Sequence, residues 1–487
     1  MRRLLLALTA LVLGGILVVP RLTFDRAAWF ADLDALEAHL ARAYSNLEDA
    51  PRRGVDLAAL DRRTRDALAR AGTDGEARAA IAEFVGAFHD PHLQLRREKL
   101  SKRVSRWWRE LRAGAAAQAS TGPGLDPALD GAAACAAIGV TGPPGAALAP
   151  SLAALPGFAP LPAGDLAAGV AEVAGRKVGL VRLPSFDAAH YPGACAAAWE
   201  LIRAGRSEPC AGACLEAFEG SGLEDAVLGA LAARVRALRA AGATALVVDL
   251  TGNGGGAGWA DAAARVVTAR PLDCPGGAFV RHPHHVSRLA ELERELAQAT
   301  REPGLSPREA SLLGEARERT AGALRAASEA CDVSGVWRGA APACSNRVVR
   351  PGRTCGLLGP LSKDGVRDPR AWGVLDALWQ WSYEPGAWSG PLALLADART
   401  ASAAEAFAAT LVDGGAAALL GERTMGAGCG YTNGGIPFRL PGAGIEVRAP
   451  DCSRLRRDGT NELDGIAPAY PGPAAAAIEA WLRAAGG

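Results

Sequence analysis

The chain has 487 residues, enough for two or three domains and at least one large buried core. With 49% apolar and 22% charged residues, it is neither disordered nor fibrous. Its 53 basic and 52 acidic side chains nearly cancel and form no basic stripe, which argues against a nucleic-acid partner.

Arg2 and Arg3 precede an apolar run from Leu4 to Val19, which Pro20 ends. Residues 1–22 therefore read as an export signal or a retained N-terminal membrane anchor, since no small-x-small cleavage site follows. The body of the protein is expected to be soluble and exported, in the periplasm or cell envelope. Ten cysteines, none at C-x-x-C spacing, fit an oxidising compartment and disulfides.

Residues 23–100 read as a small helical domain. Trp29, Phe30, Leu33, Leu36, Leu40 and Tyr44 recur at helical spacing behind Asp25, a candidate N-cap. A second helix spans about Leu57 to Ala71, and a third opens at Thr73 with Glu76 at capping-box spacing. His89-Asp90-Pro91-His92 follows directly, where Pro91 enforces a turn and a strand begins. Residues 101–174, rich in Ala, Gly and Pro, read as a connecting region. An α/β core is expected over 175–472, with an insertion at about 271–370 and a C-terminal helix over 473–487. Strands are expected at 177–183, 243–250, 392–396 and 416–420, with helices at 223–241 and 402–412 between them. The insertion carries a charged helix from Val286 to Thr300 and four of the cysteines.

Two segments could carry chemistry. In Asp397-Ala398-Arg399-Thr400-Ala401-Ser402 a buried strand ends and Ser402 stands where a helix starts. Unpaired N–H groups and the helix dipole favour negative charge there, so a serine at that corner sits beside an oxyanion site. Serine is equally a common N-cap, and that reading also fits. The strand ending at Leu250 runs into Thr251-Gly252-Asn253-Gly254-Gly255-Gly256, whose glycines let backbone approach a ligand. Parallel strands would bring both segments to one sheet edge.

Taken together with Val181-Arg182-Leu183-Pro184-Ser185-Phe186, Leu419-Leu420-Gly421-Glu422-Arg423-Thr424-Met425-Gly426-Ala427-Gly428 and Asp464-Gly465-Ile466-Ala467-Pro468, these segments resemble a known family. It is that of the carboxyl-terminal processing (tail-specific) serine peptidases and their tricorn-protease relatives. The resemblance covers about residues 175–470, in order. It implies a fold of α/β class, a peptidase core preceded by a small helical domain, and a polypeptide substrate without cofactor. It implies that Ser402 is the nucleophile, with the N–H groups of Gly255 and Ala403 as oxyanion hole. The family's lysine base falls at Ala427, whose methyl takes no proton, and the four lysines (Lys99, Lys102, Lys177, Lys363) lie in no matching motif. The likeness therefore points to the Ser/His branch, with His92 as base and His89 as the alternative. Glu462 is the leading third member and Asp464 the next. Ala469 stands where the family usually has aspartate. The missing lysine also suits a non-catalytic ligand- or peptide-binding protein that keeps the fold, like the family's retinoid-binding members of the eye. An esterase is a further alternative, and no convincing PDZ domain lies between residues 100 and 175.

Three features remain. Cys429 and Cys452 flank two strand-like stretches, 436–440 and 444–447, and a hairpin would return one cysteine to the other. His282, His284 and His285 read as a solvated loop rather than a metal site, because no carboxylate or cysteine stands at ligand spacing. Trp107, Trp108, Trp379 and Trp381 read as core or domain contacts. Oligomeric state is not legible in the sequence.

Overall fold

The structure, a computed structural model, describes residues 24–96, 124–142 and 146–485. The segment read as an export signal or anchor, Lys99, Lys102 and the Trp107-Trp108 pair lie outside these residues. No helix among the described residues is long and apolar enough to cross a membrane.

The chain opens with helices α1 (Arg26–Ala43), α2 (Leu57–Arg70) and α3 (Asp74–Gly86). Asp25, Asp56 and Thr73 cap them through side-chain oxygens, which supplies acceptors for otherwise orphaned N–H groups. Glu76 turns back to the Gly72 N–H at 2.7 Å, one residue earlier than a capping box requires. Strand β1 (Gln94–Arg96) follows α3. Next come β2 (Ala159–Pro160), β3 (Ala168–Val173) and β4 (Arg176–Arg182), then α4 (Leu223–Ala240) and β5 (Ala245–Asp249). The insertion contains β6 (Gly276–Val280), α5 (Pro283–Ala299), α6 (Pro307–Ser328) and β7 (Arg347–Val349). The chain closes with β8 (Leu392–Ala396), α7 (Ala403–Asp413), β9 (Ala418–Gly421), β10 (Phe438–Arg439) and β11 (Glu446–Arg448). After these lie β12 (Cys452–Leu455), β13 (Tyr470–Pro471) and α8 (Ala474–Ala484).

A seven-stranded mixed sheet in the order β13-β9-β8-β5-β4-β3-β2 forms the centre, giving the α/β class. Its strands β4, β5, β8, β9 and β13 run parallel. The central pair β5 and β8 is buried on both faces, as parallel strands covered by helices must be. Leu246, Val248 and Leu394 face one core with α4 and α7, whereas Val247, Ala393 and Leu395 face a second core with α8. This period-two split is the pleat acting on a continuous apolar run.

The region read as a connector contributes β3, which pairs antiparallel with β4 over six residues. Its sequence, Ala-Gly-Val-Ala-Glu-Val, carries too little apolar bulk to stand out as a strand. A disulfide between Cys135 and Cys195 ties the same region to the core.

The helical domain does not stand apart. Leu33, Leu36, Phe84 and Phe88 share one core with Leu440, Ile445 and Val447 of the β10–β11 hairpin and with Trp337 of the insertion. Strand β1 then pairs antiparallel with β11, Leu95 opposite Val447. These contacts carry the segment after α3 into the last third of the chain.

Cys429 and Cys452 are joined, with Cα atoms 5.5 Å apart, and the β10–β11 pairing between them is the hairpin that brings them together. Closing a loop with a sequence separation of 23 is worth about 3 kcal/mol through the unfolded chain. The double variant Cys429→Ser/Cys452→Ser should lose about that much in urea titration.

Candidate active site

β5 and β8 are parallel neighbours, Asp249 beside Leu395, so the turns after them meet at one sheet edge. They are stitched together by Ala401 N–H to Asn253 O (2.9 Å), Thr400 Oγ1 to Leu250 O (3.0 Å) and Gly252 N–H to Asp397 Oδ1 (2.8 Å). Ser402 then enters α7 with φ 57° and ψ −115°, a conformation that costs a residue with a Cβ on the order of 1–3 kcal/mol. Gly255, at φ +96°, packs against it so closely that a Cβ there would lie 2.7 Å from Ser402 Cβ and 2.8 Å from Ala403 N. Only glycine permits that approach.

Of the two sequence-predicted oxyanion donors, the Ala403 N–H is the first in its helix and has no acceptor among the described residues. The Gly255 N–H is engaged, donating to Asn253 Oδ1 at 2.9 Å. Asn253 is fully buried and donates in turn to Leu183 O at 2.8 Å.

Glu405, one turn into α7, is a hub that sequence reasoning missed. Its fully buried carboxylate accepts from Ser402 N–H (2.9 Å), Thr424 Oγ1 (2.6 Å), Gly426 N–H (2.7 Å) and Ala427 N–H (2.8 Å). It hangs the 424–427 loop on the first turn of the serine's helix. The Ser-x-x-Glu spacing was visible and is a capping-box spacing; what the spacing does not tell is that the same carboxylate reaches a loop twenty residues on.

His92 comes to that loop from the opposite direction. Its Nδ1 lies 2.9 Å from Ala427 O, the carbonyl of the residue whose N–H Glu405 holds. A carbonyl can only accept, so Nδ1 carries the proton and Nε2 of the neutral ring is the acceptor. Nε2 lies against the backbone of Gly430, where a Cβ would sit 3.3 Å away. Behind the ring, Asp90 fixes the main chain: His92 N–H (2.9 Å), Tyr44 Oη (2.9 Å) and Asn46 Nδ2 (3.0 Å) all donate to its buried carboxylate. Tyr431 Oη donates to His92 O, and the Arg448 guanidinium stacks 3.8 Å from the Tyr431 ring centroid. No hydrogen bond joins His92 to the Ser402 hydroxyl among the described residues. His89 is exposed, at φ 49°, and its carbonyl accepts from Arg53.

Glu462 lies close to the serine through an intermediary. Its Oε2 accepts from Arg454, whose other nitrogen donates to Ser402 O (2.7 Å) and Gly428 O (3.1 Å). Among the described residues no hydrogen bond links Glu462 to His92. Asp464 pairs instead with Arg52 of the helical domain at 2.7 Å.

Residues 354–469, the segment holding Ser402, Glu405, Ala427 and Glu462, match the model of peptidase family S41. The match covers about a quarter of the chain. Among solved structures the chain is similar to mature CPAF, at 14% identity over 95% of this chain and 96% of that one, with a TM-score of 0.53. Mature CPAF complexed with lactacystin gives 14% identity, 95% and 97% coverage and a TM-score of 0.52. The photosystem II D1 C-terminal processing protease matches at 15% identity, 92% and 94% coverage and a TM-score of 0.33. The likeness to mature CPAF is one of fold. No curated protein matches the chain.

One acid of the matched segment is strongly shifted. Burial pushes the Glu462 carboxyl up from 4.5 to about 7, against the pull of Arg454 and with a further push from Glu405. Between those values the folded chain holds a proton that the unfolded chain releases. This group's contribution is therefore full below pH about 4.5 and is lost as pH rises through about 7, a swing on the order of 3 kcal/mol. Glu462→Gln keeps the shape and an acceptor for Arg454. Urea midpoints at about pH 5 and about pH 8 should diverge less in this variant than in the parent; equal divergence would assign the proton elsewhere.

Proposed function

We propose that the chain is an exported peptidase in which Ser402 attacks the scissile carbonyl of a polypeptide and His92 takes its proton. The observation that carries this reading is the route from serine to imidazole: Ser402 N–H to Glu405, Glu405 to Ala427 N–H, Ala427 O to His92 Nδ1. The residue at the lysine position of the Ser/Lys branch thus serves through its main chain. Its carbonyl takes the orienting role that a carboxylate has in other triads and selects the tautomer whose Nε2 can accept. Glu462 in this reading holds Arg454, and Arg454 steadies the Ser402 carbonyl.

In the proposed cycle the proton passes from Ser402 Oγ to His92 Nε2 as Oγ bonds to the carbonyl carbon. The Ala403 N–H receives the developing oxyanion at the positive end of α7. His92 returns the proton to the leaving amine, and water, deprotonated by the same nitrogen, releases the acyl group. The transfer requires His92 Nε2 and Ser402 Oγ to come within hydrogen-bond reach as substrate binds, since catalytic hydrogen bonds tighten in the Michaelis complex. Five disulfides that use all ten cysteines, together with the basic-then-apolar opening of the chain, support export.

Labelling by a fluorophosphonate probe tests the assignment. His92→Ala should slow labelling of Ser402 by about 10³-fold, while His89→Ala labels like the parent. Equal labelling of His92→Ala and parent removes His92 as base. A folded parent that takes no label at all favours the binding-protein reading, for which the absent Ser402–His92 hydrogen bond is the supporting observation.

A further inference from the structure

The histidine cluster of the insertion is not the solvated loop that its sequence suggests. His284 and His285 occupy the first turn of α5, and His285 is only 5% exposed. The missing carboxylate comes from far along the chain: fully buried Asp451, beside Cys452, places Oδ2 at 3.5 Å from His285 Nε2. One ligand atom from each of His284, His285 and Asp451 lies within 4.8 Å of the other two. The Nε2 atoms of both histidines are buried and have no hydrogen-bond partner. Two such orphaned acceptors or donors beside a buried carboxylate are a costly arrangement unless something occupies the space between them.

We propose that His284, His285 and Asp451 bind a divalent transition-metal cation of the zinc class, with water completing the tetrahedron. Two imidazoles and one carboxylate are a donor set that suits zinc. Bonds of about 2.0–2.1 Å put tetrahedral donor atoms roughly 3.4 Å apart, so the rings close on the ion by about an ångström. The carboxylate is already oriented, because Thr432 donates to Oδ1 through its N–H (2.8 Å) and to Oδ2 through its hydroxyl (2.9 Å). Such outer hydrogen bonds are what a metal-binding carboxylate requires. Entry is through a cavity of about 460 Å³, lined by His285, Thr432, Asn433 and Arg350, which also supplies the water. Arg350 is the opposing charge that the ion displaces or tolerates.

The consequence is mechanical. An ion there pins α5 to the 429–452 segment, whose Gly430 and Tyr431 pack around His92. It steadies the proposed base from behind without touching substrate.

The test uses the full chain without a histidine tag, stripped with chelator and titrated with Zn²⁺ by calorimetry, and with Co²⁺ by visible absorption. One Zn²⁺ per chain, and Co²⁺ bands of four- or five-coordinate intensity, are expected. His284→Ala should weaken Zn²⁺ affinity about tenfold or more, with His89→Ala unchanged. The Co²⁺ spectrum of the parent decides the matter even if a variant misfolds. Absence of stoichiometric binding, octahedral-type Co²⁺ bands, or unchanged affinity in folded His284→Ala would each overturn the proposal.

Discussion

Ser402→Ala should reduce kcat/KM on any peptide substrate by roughly 10⁶-fold, and should abolish fluorophosphonate labelling. In the proposed mechanism the Ser402 hydroxyl forms the acyl intermediate, and the Ala403 N–H alone cannot replace a covalent step. The conformation sharpens the test. Ser402 is held at φ 57°, and alanine at that position keeps the strain, whereas glycine relieves it. Ser402→Gly should therefore be as inactive as Ser402→Ala yet unfold at higher urea, by on the order of 1 kcal/mol. A structural capping serine would behave in the opposite way, losing stability in both variants with little change in turnover. The pair of variants thus separates a strained nucleophile from a helix cap, the two readings the sequence left open.

Much of the core was legible because its physics is local. The run Leu392–Ala396 is apolar and closed by Asp397, and it is a strand between the residues expected; β4, β5 and β9 fall within two residues of their expected bounds. The helical domain was read from caps and spacing, and Asp25 and Thr73 do cap their helices. What escaped depends on partners distant in sequence. β3 is a strand because β4 offers it a ladder, not because Ala168–Val173 prefers extension. The Ser306-Pro307-x-Glu309 start of α6 was a readable signature, with its capping box and Pro at the first turn, that the charged composition of the insertion hid.

At the site the same division holds. Ser402 and the glycine turn carry their meaning in a few consecutive residues, and the structure puts them at one edge. The partners of His92 could not be read, because a main-chain carbonyl has no sequence signature. Any residue at 427 would offer one; alanine matters there for what it leaves out. With alanine the loop contributes only backbone, the N–H that Glu405 holds and the carbonyl that His92 meets. The sequence search for a third member therefore looked among carboxylates and arrived at Glu462, whose hydrogen bond goes to Arg454.

Glu405→Ala should be among the most destabilising single changes in the chain, and it should remove activity by a different route from Ser402→Ala. The lost carboxylate leaves two buried N–H groups, the part-buried Ser402 N–H and the Thr424 hydroxyl without their acceptor. At about 1–3 kcal/mol for each unsatisfied group, partly offset by entering water, the expected loss is roughly 4–6 kcal/mol. That is a large share of an ordinary domain's stability, so the variant should show an early urea transition or fail to accumulate. Glu405→Gln is the informative companion, since it keeps the volume and one oxygen. Oε1 serves Thr424 and Gly426, and Oε2 serves Ser402 and Ala427, so an amide nitrogen faces two N–H donors in one orientation and, in the other, the Gly426 N–H beside the Thr424 hydroxyl; at least one N–H loses its acceptor whichever way it turns. The 424–427 loop should then shift relative to α7 in a chain that still folds, and His92, which hangs on Ala427 O, should shift with it. Glu405→Gln is accordingly expected to lose about 10²-fold in the rate of probe labelling, as a displacement of about an ångström costs a general base. Parent-like labelling and stability in both variants would mean that water takes the place of the carboxylate, and His92 would then need some other support to reach the serine.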